Sequence, residues 1–78
     1  MEDRSFKFML SDVSKELLEK ANLAKANATR SGSDYDKGRQ FALYEVISLL
    51  TQQAGVFGVA LNEIGLDGVD PERDLLGN

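Results

Sequence analysis

Leu43, Ile47, Leu50, Ala54, Phe57, Leu61 and Ile64 follow one another at intervals of 4-3-4-3-4-3, the spacing with which one stripe of a helix meets a neighbouring helix. Ala42, Val46, Leu49, Val56 and Ala60 make a second track beside the first. A helix with so wide an apolar arc has to be covered from more than one side. Upstream, Val13, Leu17, Leu18, Ala21, Leu23, Ala24 and Ala28 predict another helix over about residues 12–30. Ser11 or Asp12 offers an N-cap oxygen at its start, and no glycine or proline intervenes before Gly32. Its face thins from leucine to alanine along its length, and Ala21, Ala24 and Ala28 invite a close neighbour. Glu16 and Lys20 are spaced for a favourable pair on its wet side. Residues 1–10 form an arm in which Phe6, Phe8 and Leu10 alternate with Lys7 and Met9, the period of a short strand or of a packed extension.

Ser31-Gly32-Ser33-Asp34 reads as a turn, and Ser33 with Asp36 has the form of a capping box, so the second helix starts near Asp34. So short a connection makes the two helices antiparallel neighbours. Gly38, in the first turn of that helix, is either a tolerated weak position or a place where another backbone or a ligand passes close. Gly55 and Gly58 interrupt the apolar pattern: either the helix runs on to Ile64 despite two weak positions or, the reading favoured, Gly58 directly after Phe57 stops it and leaves Val59 to Ile64 as a separate short turn of helix. Gly65 ends that turn and Leu66 folds back against it. In Asp70-Pro71-Glu72 a capping residue precedes a proline at the first helical position, which predicts one last turn reaching Leu76, with Leu75 and Leu76 to bury and a frayed Gly77-Asn78. The expected fold is a single all-α domain over residues 1–78. It is an antiparallel hairpin of helices over about 12–30 and 34–57 with short C-terminal helical turns, an arm over 1–10 and an acidic tail over 67–78.

The first helix can cover one side of the second and no more. The uncovered track, with Phe41 and Tyr44 near its edge, is then an exposed apolar patch of the kind that marks protein contacts. Phe41, Ala42, Tyr44, Val46, Leu49 and Val56 are its candidate interface residues. A two-fold homodimer closes it most simply, giving a four-helix bundle from two hairpins. A different partner protein, or the arm and tail folded back over the patch, are the other ways to close it. Size favours assembly, because below roughly 70 to 80 residues a single core supplies only about 3 to 5 kcal/mol. The chain has 78 residues and neither cysteine nor histidine, so no disulfide and no ordinary zinc site can add to that.

The same absences remove the commonest general base, nucleophile and transition-metal ligands. Glu45 is the one acid inside the apolar stretch, but it lies opposite the Leu43 and Ile47 seam and reads as a solvated surface residue with Arg39 or a facing lysine as its partner. Asp34-Tyr35-Asp36-Lys37-Gly38 fails the pattern of a calcium loop, and Asp67, Asp70, Glu72 and Asp74 read as a solvated acidic run more than as a cation site. The glycines form no phosphate-binding loop. No catalytic, metal or cofactor residue is therefore assigned. The net charge of -4 disfavours nucleic acid, and Lys15, Lys20, Lys25 and Arg30 step by five, which scatters them around the helix. Glu2, Asp3, Arg4 and Lys7 leave no basic-then-apolar leader in the first residues, and Glu45, Ser48 and Thr51-Gln52-Gln53 interrupt the longest candidate membrane span. These features predict a soluble cytoplasmic protein. The expected role is a protein-binding or regulatory accessory protein acting as a homodimer without catalysis. The alternative is a nucleic-acid-associated regulator that assembles Lys37, Arg39 and the bases of the first helix into a positive face on dimerisation.

Overall fold

The computed structural model describes residues 3–77; Met1, Glu2 and Asn78, which belong to the expected arm and frayed end, lie outside them. Two long helices, α1 (Asp3–Ser31) and α2 (Asp34–Phe57), pack side by side and are followed by a 3₁₀ turn (Leu61–Glu63) and a last helical turn (Glu72–Leu76). No strand occurs among the described residues. The described part of the arm corrects the sequence reading, because α1 runs unbroken from Asp3 and carries Ser11 and Asp12 in its interior. An isolated strand has no ladder to join, whereas extending an existing helix adds a hydrogen bond for each residue fixed. With no glycine or proline to stop it, the helix wins.

The turn between the helices is two residues long, Gly32 and Ser33. The Ser33 hydroxyl oxygen accepts from the Asp36 N–H at 3.1 Å, and the Ser31 hydroxyl donates to the Asp36 carboxylate and accepts from the Ser33 N–H at 3.1 Å. At its other end α2 stops where glycine stops it. Gly58 is left-handed (φ 70°), its N–H reaches Gly55 O at 3.4 Å, and the Val59 N–H reaches back to Ala54 O at 2.8 Å. That pair of bonds is a Schellman ending, which satisfies carbonyls the helix would otherwise leave open. Gly38, by contrast, has nothing within 4 Å of where a Cβ would stand, so no neighbour passes close to it.

Small side chains set how near the helices come. Ser14, Ala21, Ala24 and Ala28 are buried on α1, and Ile47 and Ala54 are buried on α2. Of the three apolar side chains that are both large and fully buried, only Ile47 belongs to the hairpin; Leu66 and Leu75 come from the segment after it. Ile64, Leu66 and Leu75 join Ala21, Ile47 and Ala54 in one cluster, with Leu10, Leu17, Leu18, Leu43, Leu50 and Val69 against its edges. Two polar contacts hold the segment down: the Lys25 Nζ donates to Asp74 O at 2.9 Å and the Gln40 Nε2 donates to Leu75 O at 2.8 Å. The last turn buries Leu75 as expected and half-buries Leu76, and its bonds are wide, with the Gly77 N–H reaching Glu72 O at 2.9 Å. Asp67, Asp70 and Glu72 stay exposed on its outside.

Candidate protein-interaction surface

At about 3.6 residues per turn, the side chains that touch the C-terminal segment fall on one flank of each helix. On α1 they are Lys25, bonded to Asp74, and Lys15, whose methylenes lie where a Gly65 Cβ would stand. On α2 they are Gln40, bonded to Leu75, and Tyr44, Ser48, Thr51 and Gln52, which share a groove of 270 Å³ with Asp70, Pro71 and Glu72. The segment is therefore a lid over one side of the hairpin. Helical spacing carries Met9, Val13, Ala42, Val46, Leu49 and Val56 around to the opposite side. No segment among the described residues covers that side.

The six candidate interface residues consequently part company. Ala42, Val46, Leu49 and Val56 share the open side, where Leu49 is 56% and Val56 73% exposed, Ala42 is exposed and Val46 is half-buried. Phe41 and Tyr44 sit on the lid flank, their rings 5.6 Å apart, with Tyr44 half-buried beside the lid. Phe57, expected in the hairpin seam, is 75% exposed, which corrects that reading. At about 100° per residue Phe57 is turned to one side of the buried Ile47 and Ala54 stripe, away from the contact with α1. Instead Phe57 lines a cleft of 530 Å³ with Phe6, Lys7, Leu10 and Val59 at the open end of the hairpin.

Sequence reasoning missed the part of the surface that α1 supplies. Phe6, Met9 and Val13 are all exposed, and they step by three and four residues along the helix. That step was the available signal. The alternation of Phe6, Phe8 and Leu10 masked it, because both periods fit so short a stretch.

The charged groups pair locally. Arg73 and Asp74 pair at 2.8 Å, which with a bond from the Asp70 N–H holds the Asp74 carboxyl down to about 2 and raises the Arg73 guanidinium above its ordinary value. Lys7 and Glu63 pair at 3.5 Å across exposed surface. The Glu16 and Lys20 pair expected along α1 is not formed, nor does Glu45 have an ion-pair partner among the described residues. Glu45 is exposed. Lys37 and Arg39 stand on opposite flanks of α2, and the Lys25 ammonium donates to the lid. Among the described residues Ser14 is the one buried hydroxyl without a partner, and it faces the tight helix contact. No helix among the described residues is long and apolar enough to cross a membrane. No known protein family matches the chain, and no curated protein or solved structure is significantly similar to it.

Proposed function

We propose that this protein works by contact, as a small dimeric binding or regulatory accessory protein with no catalysis of its own, acting in the cytoplasm. The observation that carries the reading is the open side of the hairpin, where apolar residues of both long helices lie uncovered while the C-terminal lid occupies the other side. Apolar area arranged in one continuous patch is favourably removed from water by a partner. A homodimer achieves that with one chain and yields a four-helix bundle. Light scattering of the purified full chain at micromolar concentration tests the proposal. Twice the chain mass is expected; a single chain at every concentration, with no binding of an apolar dye, overturns it.

A further inference from the structure

The isolated chain has more surface than its size requires. It exposes 5471 Å², whereas a compact monomer of this mass exposes about 4,700 Å². The excess of about 800 Å² equals what one partner of a standard interface buries. Its radius of gyration is 13.4 Å and its extents are 45 × 18 × 15 Å, against a radius of about 11.5 Å for a compact domain of this length. The molecule is a slab one helix layer thick with a lid on one side, and the missing layer belongs on the other.

We propose that a second copy of the chain supplies that layer in an antiparallel arrangement, α1 across α1 and α2 across α2, with each Val46 meeting the second copy's Leu49 beside the two-fold axis. The proposal rests on the homodimer reading above and assigns its surface. The open side carries one track from each helix: Phe6, Met9, Val13, Glu16, Lys20 and Leu23 on α1, and Ala42, Val46, Leu49, Gln53 and Val56 on α2. Across the hairpin, Met9 stands level with Val56, Glu16 with Leu49 and Leu23 with Ala42, because the helices run antiparallel from a two-residue turn. Glu16 and Lys20 are the only charges on these tracks, and neither has an ion-pair partner among the described residues of the isolated chain.

Their order decides the arrangement. A two-fold axis along the helices would set α1 across α2 and put the apolar α2 positions Leu49 and Val46 opposite Glu16 and Lys20. Antiparallel pairing about a point between them sets each Glu16 against the second copy's Lys20, twice by symmetry, and Val13 against Leu23. The same axis crosses α2 between Val46 and Leu49, level with that point, so each Val46 meets the second copy's Leu49 and each Ala42 meets Gln53. Both helices thus agree on one axis, and Val13, Leu23, Val46 and Leu49 meet one another instead of water. Phe41 and Tyr44, on the lid side, stay outside this contact.

Two sets of variants test it on the full chain, with helicity checked by circular dichroism. The chain contains no cysteine, so Val46→Cys mixed with Leu49→Cys gives an unambiguous reporter: mild oxidation is expected to produce a disulfide-linked mixed dimer in high yield, and Phe41→Cys none. Glu16→Lys and Lys20→Glu each place like charges opposite one another at two symmetric positions, and each is expected to weaken self-association by on the order of tenfold. Mixed in equal amounts, these two variants place opposite charges together again, and association at the wild-type level is expected to return. A wild-type dimer whose mixed Val46→Cys and Leu49→Cys forms do not cross-link, or whose charge variants gain nothing on mixing, overturns this arrangement and leaves the homodimer standing. A wild-type chain that stays single overturns both.

Discussion

Ile47 is completely shielded at the centre of the cluster that joins hairpin and lid, so its loss is felt by three elements at once. Ile47→Ala is expected to cost about 2 to 5 kcal/mol, measured as a shift of the urea midpoint at constant slope. Two residues away, Glu45→Ala is expected to change stability by less than about 0.5 kcal/mol, since the side chain is exposed and unpaired by any described cation. Ser14 presents the opposite case. Its hydroxyl is buried without a partner, so Ser14→Ala removes an unsatisfied group while keeping the small volume the helix contact needs, and a gain of about 1 kcal/mol is expected in the same measurement. A drop of that size would mean that the hydroxyl does find an acceptor in solution.

The second helix was legible almost to the residue, because its signals are local and chemically specific. Ser33 gives an oxygen to the Asp36 N–H at one end, and Gly58 takes the left-handed conformation at the other. Gly58→Ala puts a Cβ into that conformation at a cost of about 1 to 2 kcal/mol, and thermal unfolding followed by far-ultraviolet dichroism should show the loss. The start of α1 was less legible, for a physical reason. Between Phe6 and Leu10 a period of two and a period of three to four are both satisfied, and only the absence of any strand partner decides between them. The lid was half legible: Pro71 marked the last turn, but that Leu66 and Leu75 complete the core could not be read from spacing, since they pack through tertiary contact and not through a repeat. Of the candidate surface, the α2 track was legible and its separation from Phe41 and Tyr44 was not. That separation depends on where the lid lands.

Acid reaches the whole molecule through the lid. The folded chain holds Asp74 at about 2 against an ordinary 3.8, so on acidification the unfolded chain takes up that proton first. The stabilisation from this carboxylate is complete above about pH 4 and disappears as the pH falls through about 2. Between those values, unfolding monitored by dichroism is expected to be more acid-sensitive in the wild type than in Asp74→Asn, which has no proton to take up; equal sensitivity would mean that the Arg73 pair is not kept in solution. The lid also orders events in time. Its anchor joins Lys25 to the carbonyl of a residue 49 positions further along the chain, while the hairpin closes through a turn of two residues. Contacts between near neighbours in sequence form first and distant ones later, so the hairpin collapses before its cover seats. In deuterated solvent the Glu72–Gly77 amides should therefore exchange ahead of those in the middle of α2, recording a cover that lifts many times for each time the helices part.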